Sequence, residues 1–173
     1  MALPDFFYST DVHTHRRGPG LITSVEPGED TTGAERLSVG VHPWHADTGD
    51  VAAVRRMALD DPRVVAIGEC GLDRLRGAAM AEQLSVFRAQ AELSERHAVP
   101  MTLHCVRAFD LILQARKAWH PRQTWTIHGF RGGPALAEQL LRAGCDLSFG
   151  PRHNAEAWNL TPENRRHRET DAE

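Results

Sequence analysis

Short apolar and β-branched runs recur along the chain, separated by stretches whose apolar positions keep a helical spacing. The runs fall at 7–13, 21–25, 37–42, 64–69, 101–105, 125–128 and 146–149. A weaker one falls at 167–171, where the approach reads ENRRHRETDAE. Such runs, bounded by turn residues, predict strands. Between them, 51–59, 80–97, 109–119 and 135–143 predict helices. The clearest is 80–97, with Leu84, Phe87, Ala91 and Leu93 or Ser94 in helical register. Gly144 follows the last helix at the usual C-cap position.

Strands alternating with helices predict an α/β fold with a parallel sheet. Seven or eight strands predict a TIM-type (β/α)8 barrel, which typically takes about 250 residues. The chain has 173. The first connections are too short for full helices, and the chain stops almost on its last candidate strand. The expectation is a single domain over 1–173, folded as a compact or incomplete barrel. Arg165, Arg166 and Arg168 precede the final run, and unpaired charge is expensive in a core. The last strand is therefore the hardest to build.

Composition narrows the class. Hydrophobic residues make up 41% and charged residues 25%, as in an ordinary globular chain. No stretch approaches the roughly 20 apolar residues of a membrane span. The start, MALPDFFYSTDVHTH, has neither the basic nor the long apolar part of a secretory leader. A cytoplasmic protein with no membrane contact is expected. Cys70, Cys105 and Cys145 are too few for a disulfide framework and read as small apolar packers. The net charge of −3 argues against binding nucleic acid by bulk charge, so any such contact must be local.

The ten histidines matter by position. The first strand ends in DVHTH, which puts Asp11, His13 and His15 on one face. The third ends in His42, the fourth in Glu69, the fifth in His104, the sixth in His128 and the weak eighth in Asp171. Barrel enzymes build their sites at the C-terminal ends of strands. Imidazole and carboxylate together suit a divalent metal such as zinc or manganese. Six donors, His13, His15, Glu69, His104, His128 and an aspartate, exceed the four that close a tetrahedral site. They suit two ions roughly 3.5–4 Å apart, bridged by a carboxylate. Glu69 is the expected bridge, because its strand lies between the other donors in barrel order. Hydrolysis by metal-activated water is the expected chemistry.

Six motifs, DVHTH, GVHPW, GECGLD, HC, HGF and ETDA, stand in the order and approximate spacing of the TatD family of metal-dependent deoxyribonucleases, which the chain resembles from Asp11 to Ala172. The resemblance implies a distorted barrel of the amidohydrolase-like type and phosphodiester hydrolysis, often from the 3′ end of DNA. It implies two divalent ions (Mg, Mn or Zn), one on His13, His15 and Asp171 and one on His104 and His128, with Glu69 between them. Glu69 and Asp171 would be the catalytic acids. Asp73 matches a position suited to fixing a ligand or a loop. Asp11 is expected to orient a ligand histidine. His42 either faces the substrate or fixes the turn before Pro43. Cys70 is expected to point outward to the helices, and Gly71 to free the turn after Glu69.

Arginines follow the motifs: Arg16, Arg17, Arg74, Arg76, Arg107, Arg131 and Arg152. On a barrel they would form a collar for a phosphate backbone. Arg131 stands where the family usually has a small hydroxyl residue, which could shift the substrate to another phosphoester. The only lysine, Lys117, falls within a helix, so a carboxylated-lysine bridge of the amide-cleaving type is not expected. A catalytically degenerate barrel that only binds is the remaining alternative. No obligate protein partner is expected.

Overall fold

The computed structural model describes residues 3–171, so Ala172 of the ETDA motif lies outside the described residues. Eight parallel strands run in sequence order around a closed barrel. They are β1 (Asp11–Thr14), β2 (Leu21–Val25), β3 (Arg36–Val39), β4 (Val64–Asp73), β5 (Met101–Val106), β6 (Trp125–Ile127), β7 (Cys145–Phe149) and β8 (Arg166–Arg168). The helices are α1 (Val51–Asp60), α2 (Met80–His97), α3 (Phe109–Trp119), α4 (Pro134–Arg142) and α5 (Ala155–Leu160).

The barrel is complete where an incomplete one was conceivable. Arg168 pairs with Phe149 on one side and with Asp11 on the other, so β8 joins β7 to β1. Length is saved at the start, where β1, β2 and β3 follow one another with no helix between them. No helix among the described residues is long and apolar enough to cross a membrane.

The arginines of the last strand do not enter the core. Arg166 and Arg168 point outward and lie over the Trp158 ring of α5, at 4.4 and 4.5 Å from its centre. His167 faces inward and is buried. Its Nε2 lies 3.0 Å from one carboxylate oxygen of Asp146, and the Arg165 Nε–H donates to the other at 2.9 Å. Alternation across the strand thus separates the charges from the core. The remaining buried charge is paired.

Several boundaries move. Residues Asp5–Tyr8 form a 3-10 turn, so the first strand starts at Asp11 instead of 7. The third strand ends at Val39, leaving His42 to cap the 3-10 turn Pro43–His45. The fourth continues through Asp73, well past Glu69. Helix α5 has only six residues, too few for a periodic signal, and its one mark in the sequence is Asn154, whose side chain accepts from the Ala157 N–H.

Strand β4 lies unusually close to β5. Gly68 and Gly71 have φ of +152° and +133°. A Cβ at either would overlap the backbone oxygen of Thr102 or His104. Gly71 therefore serves a close approach inside the strand, and no turn occurs there. The register between β4 and β5 slips between Ile67 and Cys70, around Glu69. Cys70 is buried in the same apolar cluster as Phe87 of α2.

Candidate metal centre

The C-terminal rim of the barrel gathers the predicted donors around Glu69. Its side chain is only 7% exposed. One oxygen, Oε1, lies 2.8 Å from His104 Nδ1, 2.8 Å from His128 Nε2 and 3.1 Å from His42 Nε2. The other, Oε2, lies 3.3 Å from His13 Nε2 and 3.8 Å from His15 Nε2. Asp171 approaches from the far side, 3.7 Å from His13 and 4.0 Å from His15. The donor atoms form three groups, each with its atoms within 4.8 Å of one another: His13, His15 and Asp171; His13, Glu69 and His128; His42, Glu69 and His104. His128 falls with His13 in one group and His104 with His42 in another, while His104 and His128 both stand 2.8 Å from the same Glu69 oxygen.

Residues around these donors fix the rings. Asp73 Oδ2 lies 3.0 Å from His104 Nε2 and accepts from the Trp44 indole N–H at 2.8 Å. Its Oδ1 accepts the backbone N–H groups of Leu75 and Arg76. Asp73 therefore holds both a ring and a loop, and turns His104 Nδ1 toward Glu69. His42 also has two tasks. Its Nδ1 accepts the Trp44 N–H at 3.2 Å, and its Nε2 faces Glu69 and His104.

Asp11 meets the ligand histidine His13 through its backbone and not through its ring. No imidazole is among its hydrogen-bond partners in the described residues. One oxygen accepts the backbone N–H groups of His13 and Thr170, and the other meets the Thr170 hydroxyl. Asp11 clasps the residues after β8 to β1. Its side chain reaches across the seam between strands as well as to His13.

Glu169 was not anticipated. It is buried, accepts the Gly129 N–H at 2.9 Å and lies 3.5 Å from His128 Nδ1. The available signal was period two: His167, Glu169 and Asp171 alternate as Asp11, His13 and His15 do.

The donor set fits divalent cations on its own chemistry. Both ring nitrogens of His13 and Nδ1 of His128 are buried and lack a hydrogen-bond partner among the described residues. Buried imidazole nitrogens are normally satisfied, and a cation is what such nitrogens beside carboxylates accept. Burial opposes ionisation of Glu69. The charge on His128, hydrogen bonds from His104 and His128, and the nearby His13 ring outweigh it and hold the carboxyl well below its usual range. Burial also opposes the charge on His128, but Glu69 and Glu169 raise its pKa well above the ordinary imidazole value. His13 is raised too, as Asp171 and Glu69 overcome burial and the His128 charge. Protons and cations compete for these nitrogens, so cation uptake should release protons.

The arginine collar is mostly engaged elsewhere. Arg17 pairs with Asp30 at 2.9 Å, Arg74 pairs with Asp110, and Arg76 stacks on Trp44 at 3.7 Å. Arg16 meets the Thr170 hydroxyl. Arg131 is exposed and lines a cleft beside His104 and His128. Arg152, on the turn after β7, lines neither cleft at the rim.

A profile of the family described as TatD related DNase matches residues 26–172. The chain is 41% identical over 117 residues to the 3′-5′ ssDNA/RNA exonuclease TatD of Erwinia billingiae, covering 65% of this chain and 44% of that protein. It is 35% identical over 148 residues to the exonuclease of the same name from Erwinia tasmaniensis, covering 78% and 57%. The chain thus spans about half the length of the curated relatives it matches. Among solved structures, a TatD homologue from Escherichia coli superposes with a TM-score of 0.78 at 22% identity, over 96% of this chain and 80% of that one. A TatD-family hydrolase from Entamoeba histolytica gives 0.71 at 24% identity, over 87% and 60%. Both have the same barrel fold.

Proposed function

This chain belongs to the TatD-related DNase family, and from that premise we propose that it hydrolyses phosphodiester bonds in single-stranded nucleic acid, DNA above all, removing units from the 3′ end with two divalent ions at the barrel rim. One observation carries the reading: a buried glutamate stands among the imidazoles of His13, His42, His104 and His128 at the barrel rim, and two of these rings, His13 and His128, hold buried nitrogens without a hydrogen-bond partner among the described residues. The printed activity of the Erwinia relatives supports the substrate class. The three unpaired cysteines agree with a reducing, cytoplasmic setting.

His13, His15 and Asp171 would hold one ion, and His104 and His128 the other, with Glu69 offering an oxygen to each side. Bound there, divalent ions supply Lewis acidity and lower the pKa of water, for which magnesium, manganese or zinc would serve. The remaining work falls to the chain. Glu69, fixed by β4, sets the spacing between the donor groups. Asp171, whose side chain is 15% exposed, borders both clefts at the rim. It would take the proton from the attacking water on a carboxylate oxygen. Arg131 would grip a phosphate oxygen beside the reacting group. Asp73 keeps His104 from turning, and Glu169 sets a carboxylate beside His128 Nδ1.

The test is hydrolysis of single-stranded DNA with added manganese or magnesium, on wild type and on Glu69→Ala, with ion stoichiometry measured in parallel. Wild type should bind two ions and cleave. Glu69→Ala should bind fewer and lose on the order of 10³-fold in rate. A wild-type protein that takes up no divalent ion with its histidines intact would refute the reading. Binding of DNA without turnover, unaffected by His13→Ala, would favour a barrel that only binds.

A further inference from the structure

Two clefts share Asp171, and they differ in the charged side chains at their outer walls. The larger, about 350 Å³, is walled by His15, Glu26, Glu29, His42, Trp44 and His45 and ends on Glu69 and Asp171. The smaller, about 180 Å³, passes His104, His128 and Glu169 and carries Arg131.

The larger cleft is built with care. Glu26 Oε1 accepts from His45 Nδ1 at 2.7 Å and from the His42 backbone N–H at 3.3 Å. Glu29 accepts the Glu26 N–H at 3.1 Å, which keeps both carboxylates on the same wall. The Trp44 indole is pinned by its N–H to Asp73 and by the Arg76 guanidinium stacked on its ring. It forms a rigid apolar side. No arginine or lysine is among the described residues lining this cleft.

We propose that the larger cleft receives the terminal nucleoside of the strand, and that Glu26 and Glu29 make it select an end bearing a free hydroxyl over one bearing a phosphate. The proposal rests on the nuclease reading above. A cleft of this volume accommodates one nucleoside between the apolar Trp44 side and the acidic wall. Carboxylates accept hydrogen bonds from sugar hydroxyls and base amino groups. They repel a further phosphate, and a site can gain specificity from such repulsion. The polymer leaves on the opposite side, where Arg131 suits a phosphate. A strand cannot continue past a wall that rejects its next phosphate. The bond placed at Glu69 and Asp171 is then the last linkage, which accounts for removal of single units from an end.

The experiment compares matched DNA oligonucleotides ending in 3′-hydroxyl or 3′-phosphate, on wild type and on Glu26→Gln/Glu29→Gln. Wild type should favour the hydroxyl end by about tenfold in kcat/KM, and the double variant should bring the two ends close together. Equal cleavage of both ends by wild type, or full retention of the preference by the variant, overturns the proposal. Ligand binding separates its failure from that of the nuclease reading. With manganese present, thymidine 5′-monophosphate should bind wild type more tightly than thymidine 3′,5′-bisphosphate, read by tryptophan fluorescence, and the variant should narrow the gap. These ligands differ only at the 3′ position, so the comparison holds whether or not any strand is cleaved. Equal or reversed affinities in wild type overturn the subsite even if the nuclease is active.

Discussion

Strand β4 carries Glu69 and strand β8 leads to Asp171, and the two strands are built in opposite ways. β4 is ten residues long, and eight of them in succession are buried. It is held by apolar packing and by two glycines that let β5 come close. β8 is three residues long, with arginines on its outer face and one buried histidine inside. It is held by polar pins: His167 and Arg165 on Asp146, and Thr170 on Asp11. A parallel barrel strand normally needs apolar cover on both faces. The contrast teaches that a short strand can close a barrel without it, provided each charge has a named partner.

The comparison can be broken at its strong side first. Gly71→Ala places a methyl group against the His104 carbonyl, so β4 and β5 must part. We expect a loss of about 3 kcal/mol in urea unfolding, together with weaker ion binding, because His104 moves with its backbone. A small loss would mean that the close approach is not required.

At β8 the largest effect should come from Asp146→Ala, which strands a buried imidazole and removes the carboxylate partner of Arg165. About 2 kcal/mol of stability should be lost. Hydrogen exchange should quicken at the β8 amides before those of β4. Uniform exchange across both strands would remove the distinction between them. The smallest effect belongs to Arg166→Ala/Arg168→Ala. Arg168 is exposed and Arg166 and Trp158 are half-buried, so about 1 kcal/mol in total is expected from loss of the stacking. A loss as large as that of Asp146→Ala would place the arginines among the structural pins.

The same contrast explains what the sequence disclosed. Strands β2, β5, β6 and β7 carry compact apolar runs, and their positions were legible. The donors at strand ends were legible because period two and the barrel topology act together. The bond from Asp11 to Thr170 was not legible, because alternation gives a face but not a partner across the seam. The closure by β8 was hidden because its supports are long-range: Asp146 lies 21 residues from His167, and Asp11 lies 159 from Thr170. Helix α5 was too short to show, and without Trp158 in place the outward arginines looked like buried charge.

The clasp between Asp11 and Thr170 has a consequence for assembly. It joins the first strand to the segment after the last, and that same seam separates His13 and His15 from Asp171. Closing the barrel and completing this donor group are therefore one event. An ion that binds across the seam binds only the closed form, so it adds RT ln(1 + [ion]/Kd) to the stability of closure. The cation would act as a latch on the fold. Its withdrawal should open the barrel along this line, between the two ends of the described chain, before any helix-covered wall gives way.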